Sequence, residues 1–250
     1  MELILIAGPC AVESREQLLD LATALKEMGI THLRGGAYKP RTSPDNFQGL
    51  GQEGLDILAE VKEKTGMKIV TEVVSPSHIT AVASVADFIQ IGARNMHNYE
   101  LLKELARQAP NTNIILKRGL QATKKELIGS INYLQKFGHQ AEIIICERGI
   151  RTFANGEYDR FTLDTALIAD LTNNPEFMHK VIVDPSHPAG RSDLVSHLAY
   201  AGIAAGAQGF IIELKRDDDT PLSDAEQALT LKEFSVILEK VKEINKIIKK

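Results

Sequence analysis

The sequence predicts an α/β chain closed into a (β/α)8 TIM barrel, with residues 1–250 as a single domain. Three observations predict it. Apolar runs alternate with amphipathic segments from end to end, in eight βα units. The apolar runs are continuous rather than alternating, as in strands buried on both faces. The length, 250 residues, suits one such barrel, and no linker or composition break divides it.

Each unit has local grounds. The first strand, from Leu3 to Ala7, ends in Gly8-Pro9-Cys10. A helix follows from about Arg15 to Met28, with Ser14 placed to cap it and Gly29 placed to end it. The second strand leads into Arg34, and a long loop from Tyr38 to Gly51 precedes a helix starting near Glu53. Lys68 to Val73 reads as a strand, and Ser75-Pro76 opens a short helix. Phe88 to Gly92 ends in Ala93-Arg94-Asn95, and Tyr99 to Gln108 is helical. The fifth strand, Asn113 to Leu116, ends in Lys117-Arg118-Gly119, and Thr123 caps the helix that runs to about Phe137. Glu142 to Cys146 ends in Glu147-Arg148-Gly149, and a helix lies near Asp164 to Leu171. Lys180 to Val183 ends in Asp184-Pro185-Ser186-His187, followed by a helix from Asp193 to Gly206. Gly209 to Ile212 ends in Glu213, and a lysine-rich amphipathic helix spans about Leu231 to Ile248.

Apolar residues form 44% of the chain and charged residues 25%, the balance of a folded domain with a sizeable core. A net charge of −4 argues against nucleic acid as a partner. No apolar run approaches the roughly 20 residues of a membrane span, and with a strand beginning in the first few residues no signal peptide is expected. Two cysteines, Cys10 and Cys146, do not make a disulfide framework, so a reducing, cytoplasmic setting is expected. Cys146 reads as a packing residue.

Function should lie where the strands end, because those ends converge on one face of such a barrel. Cys10, Arg34, Glu72, Arg94, Lys117, Arg148, His187 and Glu213 all stand there. Arginines and a lysine from several strands describe a site for an anionic ligand, phosphorylated or carboxylated. The segment Arg34 to Pro44 adds Lys39, Arg41 and the Thr42 and Ser43 hydroxyls on a loop stiffened by prolines, with Gly35 and Gly36 permitting close backbone approach. Cys10, His187 and Glu213 end strands one, seven and eight, and Asp224 follows strand eight. Thiolate, imidazole and two carboxylates suit a divalent transition metal. Taken singly, Cys10 also reads as a small buried residue, and His187 as a capping or core histidine. Lys117 has the position of a Schiff-base lysine, but neighbouring Arg118 and the other cations favour anion binding. Gly206 is expected to end a helix, and Lys215 to Asp219 to be a solvated charged loop.

In order along the chain stand Gly8-Pro9-Cys10, Lys39-Pro40-Arg41-Thr42-Ser43-Pro44, Gly92-Ala93-Arg94-Asn95-Met96, Lys117-Arg118-Gly119, Cys146-Glu147-Arg148-Gly149 and Asp184-Pro185-Ser186-His187. With these motifs the chain resembles the 3-deoxy-D-arabino-heptulosonate 7-phosphate (DAHP) synthases, in the compact type I microbial form related to the octulosonate synthases. The resemblance implies a metal-dependent condensation of phosphoenolpyruvate with erythrose 4-phosphate, the entry to the shikimate pathway and aromatic amino acids. By resemblance, Cys10, His187, Glu213 and Asp224 match the metal ligands, with Mn2+ expected and Fe2+, Co2+ or Zn2+ as alternatives. Arg94, Lys117 and Arg148, with Arg34 and Lys39 beside them, match the phosphoenolpyruvate site, and Arg41 and Thr42 match the aldose phosphate site. Cys10, His187 and Lys39 are the expected catalytic residues. A homodimer or homotetramer is expected. With the first strand at the start of the sequence, no N-terminal regulatory domain is expected.

Two departures stand out. Leu214-Lys215 follows Glu213 where a Val-His pair is usual, although Leu222-Ser223-Asp224 keeps the expected ending. His97 replaces a more usual glutamine. Three other readings compete. One is 3-deoxy-D-manno-octulosonate 8-phosphate synthase with arabinose 5-phosphate, whose loop usually reads Lys-Ala-Asn-Arg-Ser-Ser. Another is a Schiff-base aldolase on Lys117. The third is a non-catalytic barrel that binds sugar phosphates.

Overall fold

The computed structural model describes residues 3–40, 43, 45–153, 160–217 and 221–248. Eight parallel strands close in sequence order: β1 (Ile4–Gly8), β2 (His32–Arg34), β3 (Lys68–Val73), β4 (Phe88–Ile91), β5 (Asn113–Lys117), β6 (Ile143–Glu147), β7 (Val181–Val183) and β8 (Gly209–Glu213). β1 pairs with both β2 and β8, which completes the ring. Around it run α1 (Arg15–Glu27), α2 (Gln52–Thr65), α3 (Ile79–Ala83), α4 (Tyr99–Gln108), α5 (Lys124–Lys136), α6 (Thr165–Thr172), α7 (Ser186–Ala189), α8 (Ser192–Ala204) and α9 (Leu231–Ile248). Strand boundaries fall within one residue of those read from sequence, except at the short β2. No helix among the described residues is long and apolar enough to cross a membrane.

Local chemistry explains the helix starts. The Ser14 hydroxyl accepts from the Gln17 N–H at 3.2 Å and begins α1. At α5, Thr123 and Glu126 exchange side-chain-to-backbone hydrogen bonds in a reciprocal cap. Gly206 ends α8 as expected: its N–H donates to the Ile203 carbonyl, and the Ala207 N–H donates to that of Gly202. α7 was not legible in the sequence, which carried only a strand end there. The Asp184 Oδ1 accepts the His187 N–H at 3.1 Å and turns the chain into this single helical turn.

Strand parity places the site. Ile6, Val70, Phe88, Ile115, Ile144, Cys146, Ile182 and Ile211 fill the barrel interior. Their neighbours Ala7, Ile69, Ile89, Leu116, Ile145, Val183 and Ile212 belong to the layer between strands and helices. Side chains alternate along a strand. Counting on by two from the interior residues therefore turns Glu72, Gln90, Lys117, Arg148, Asp184 and Glu213 inward at the C-terminal end. Cys146 packs in the interior layer, as expected of it.

Candidate active site

The inward residues open on a cavity of about 310 Å³ at the C-terminal end of the barrel. Arg34, Lys39, Arg94, Lys117, Arg148 and Arg160 line it, together with Glu72, Gln90, Phe161, His187 and Asp224. Among the described residues six cations and two carboxylates line it, an excess of positive groups although the chain is net negative.

The cations are not equivalent. Lys117 Nζ lies 2.5 Å from Asp184 Oδ2, and Arg34 Nη1 lies 2.9 Å from Glu213 Oε1. Arg148 is 5% exposed, and its guanidinium lies 4.4 Å from the centroid of the Phe161 ring. Among the described residues, neither Arg148 nor exposed Arg94 has a carboxylate partner within ion-pair distance. Burial holds Arg148 below the usual arginine range, opposed by Asp184 and reinforced by Arg160. A buried guanidinium without a counter-ion is costly, and an anionic ligand beside it removes that cost.

Arg118 corrects the reading that counted it with the cavity cations. Parity turns it outward, where it meets Glu147 at 3.0 Å, Asp164 at 2.7 Å and the Ala122 carbonyl at 2.8 Å. Glu147 in turn accepts the Gly149 N–H at 2.8 Å and so fixes the backbone on either side of Arg148.

The second group lies at the closure of the barrel. One donor atom each from Cys10, Glu213 and Asp224 can be chosen so that all lie within 4.8 Å of one another. His187 stands beside them, with Nε2 3.6 Å from Glu213 Oε1 and Nδ1 2.7 Å from Asp184 Oδ2. Cys10 Sγ donates to Asp224 Oδ2 at 2.9 Å, and Lys39 Nζ donates to the Cys10 carbonyl at 3.1 Å. Gly36 is necessary here, because a Cβ on it would come within 2.7 Å of the Lys39 side chain and 3.0 Å of the Cys10 carbonyl. Asp224 has φ +55°, a left-handed conformation no other described non-glycine residue adopts. Such strain is commonly held at functional sites.

Burial and Glu213 push the Cys10 thiol up to about 12, against Lys39 and Arg34. Burial would raise Asp224, but the Cys10 hydrogen bond, His187, Lys39 and Arg160 bring it down to about 2. Burial lowers His187 and favours its neutral form, the form that ligates metals. Glu213 Oε1 is buried and, among the described residues, makes no aligned hydrogen bond, despite its ion pair with Arg34. An orphaned buried carboxylate oxygen within a thiol, imidazole and carboxylate set fits a divalent cation, which would supply the missing partner.

Arg34, Lys39, Arg94, Lys117, Arg148, His187 and Asp224 thus line one cavity, with Cys10 and Glu213 beneath it. Arg41 and Thr42 lie outside the described residues, as do Asp218 and Asp219 of the charged loop, whose Arg216 pairs with Asp20 at 3.0 Å. Sequence reasoning assigned no role to Asp184, Gln90, Arg160 or Gln227. Gln227 Nε2 donates to Glu213 Oε2, and Arg160 Nη1 donates to Gln227 Oε1 at 3.2 Å. For Asp184 a signal was present, a carboxylate three residues before a candidate ligand histidine.

Known proteins resemble the chain along its whole length. "Phospho-2-dehydro-3-deoxyheptonate aldolase" of Thermotoga maritima is 44% identical over 240 residues, covering 96% of this chain and 69% of that protein. A crystal structure of the Thermotoga maritima enzyme, also titled DAHP synthase, superposes with a TM-score of 0.88 at 41% identity, covering 99% of this chain and 70% of that one. "2-dehydro-3-deoxyphosphooctonate aldolase" of Alkalilimnicola ehrlichii is 31% identical over 265 residues, covering 99% of this chain and 92% of that protein. Residues 1–250 match the family described as the DAHP synthetase I family, and the chain belongs to that family.

Proposed function

We propose that the chain is a DAHP synthase that condenses phosphoenolpyruvate with erythrose 4-phosphate, releasing phosphate, and that residues 1–250 act as one catalytic domain. The observation that carries this reading is buried Arg148, a cation without a carboxylate partner among the described residues, facing a cavity that also holds Lys117 and Arg94. Phosphoenolpyruvate bears a phosphate and a carboxylate within a few bonds. Arg94, Lys117 and Arg148, with Arg34 and Lys39 beside them, are the groups to hold both. The relative of 44% identity favours the heptulosonate reaction over the octulosonate reaction of the relative of 31%. Arg41 and Thr42 are assigned to the aldose phosphate, which the Lys-Pro-Arg-Thr-Ser-Pro loop supports.

In this reading the arginines fix both substrates so that the third carbon of phosphoenolpyruvate meets the aldehyde carbon. A carbon–carbon bond forms, and the aldehyde oxygen takes a proton. Lys39 is the donor proposed, from its place against Cys10 at the cavity wall. Water adds at the second carbon, the carbon–oxygen bond to phosphate breaks, and the water oxygen remains as the ketone. Cys10, His187, Glu213 and Asp224 would hold a divalent cation, Mn2+ by preference, whose chemistry is Lewis-acid polarisation of the aldehyde oxygen or orientation of water.

Phosphate release from phosphoenolpyruvate, measured with erythrose 4-phosphate and then with arabinose 5-phosphate, tests the reading. Preference for the four-carbon aldose is expected. Preference for the five-carbon aldose would move the chain to the octulosonate reaction, and no release with either would leave a binding protein.

A further inference from the structure

We propose that Asp184 is a positioning residue that couples the anion pocket to the metal-ligating cluster, so that a divalent cation and phosphoenolpyruvate each tighten binding of the other. The inference rests on the functional reading above and deepens it. Asp184 Oδ1 is occupied by the His187 backbone N–H at 3.1 Å. Asp184 Oδ2 accepts from Lys117 Nζ at 2.5 Å and also lies 2.7 Å from His187 Nδ1, which is close enough to compete for it but makes no aligned hydrogen bond in this arrangement. The carboxylate is fully buried, and its backbone N–H donates to the Glu147 carbonyl at 2.8 Å, so it is fixed beside Arg148.

One oxygen within reach of two nitrogens, and bonded to one of them, sets up a competition. Lys117 lines the anion pocket, and among the described residues Asp184 is its carboxylate partner. His187 presents Nε2 toward Glu213, on the side of the candidate ligands. When the Nε2 lone pair is given to a cation, the imidazole becomes a stronger donor at Nδ1 and takes a larger share of Oδ2. Lys117 is then held less tightly and its charge is freed for the anion in the pocket. An anion on Lys117 likewise leaves Oδ2 to His187 and makes Nε2 a better ligand. The effect must be reciprocal, since coupling between two binding events is a single free energy.

The test is calorimetric titration of phosphoenolpyruvate without aldose, so that no turnover occurs, into metal-stripped and Mn2+-loaded protein. Wild type should bind phosphoenolpyruvate at least about 5-fold more tightly with Mn2+. Asp184→Asn should keep the fold by circular dichroism and bring that ratio to within about 2-fold of unity. An unchanged ratio in the variant overturns the proposal, because a carboxylate that merely stabilised the fold would not move it. If Asp184→Asn does not fold, Mn2+ affinity is compared in Lys117→Gln and Arg94→Gln. Each removes one pocket cation, but only Lys117 competes for Asp184. Tighter Mn2+ binding in Lys117→Gln than in Arg94→Gln is expected, and equal effects overturn the proposal. Wild type that binds no phosphoenolpyruvate sinks the functional reading, whereas wild type that binds it equally with and without Mn2+ sinks only the coupling.

Discussion

Arg34 and Glu213 face each other at 2.9 Å from β2 and β8, on the two flanks of β1, and both are buried. Their charges are mutually necessary in the metal-free protein. Arg34→Met leaves Glu213 beside Asp224 without its guanidinium counter-charge, and breaking one side of a buried pair costs about 3–5 kcal/mol. At this chain length the melting temperature in chelator should fall by roughly 6–20 °C. Added Mn2+ should narrow the gap to wild type, because the cation offers Glu213 another partner. A variant as stable as wild type in chelator would refute the argument.

Cys10 tests the ligand set more directly. A chelator should abolish turnover and Mn2+ should restore it. Cys10→Ala should weaken Mn2+ binding and lose activity while keeping its circular dichroism spectrum. Because burial and Glu213 push the thiol up to about 12, it is protonated at neutral pH, and ligation must displace its proton. Titrations in two buffers of different ionisation enthalpy should therefore show proton release in wild type and less in Cys10→Ala. Full activity in demonstrably metal-stripped protein would remove the metal from the reaction.

Gly92 makes room for Glu72. A Cβ at position 92 would come within 2.1 Å of Glu72 Oε1, whose partner oxygen accepts from Gln90 Nε2 at 3.0 Å. Gly92→Ala must displace that carboxylate at the cavity wall and should cost about 1–3 kcal/mol. It should also weaken phosphoenolpyruvate binding, since Arg94 lies two residues on. Glu72→Ala in the same chain should recover part of the stability, and the double-mutant cycle measures the coupling. Strict additivity of the two changes would show that they do not touch.

The barrel was legible because eight buried strands leave eight apolar runs, and the site because cations recur at their ends. What the apolar runs hid was parity. Lys117 and Arg118 are adjacent cations, yet one faces the cavity and the other the Glu147–Asp164 pair on the outside. Counting by two from Ile115 would have separated them. Arg160 and Gln227 were illegible for another reason. They stand on loops, away from any strand end, and reach Asp224 and Glu213 only through tertiary folding. Asp184 was visible but unread, because the His187 motif was taken for its histidine alone.

His32 provides a test of acid stability away from the site. It sits in β2 with its ring edge-on to Phe88 at 5.4 Å and Nδ1 2.9 Å from the Thr31 hydroxyl. Burial, then the Lys68 charge, lowers it to about 4 in the folded protein, against Asp87 and Glu142. An unfolded histidine titrates near 6.5. Above that pH both states are neutral and the residue adds no pH dependence. As pH falls from about 6.5 toward about 4, the unfolded chain takes up a proton that the folded protein refuses, so stability is lost with acidification. His139 and His179 are lowered by burial in the same direction. The melting temperature should therefore fall between pH 7 and pH 5, and His32→Gln should fall less steeply without becoming flat. A wild type that gains stability on acidification, or a His32→Gln slope equal to that of wild type, would contradict the assignment. The His32 ring resonance in proton NMR should titrate well below 6.5, which reads the same displacement without unfolding the protein.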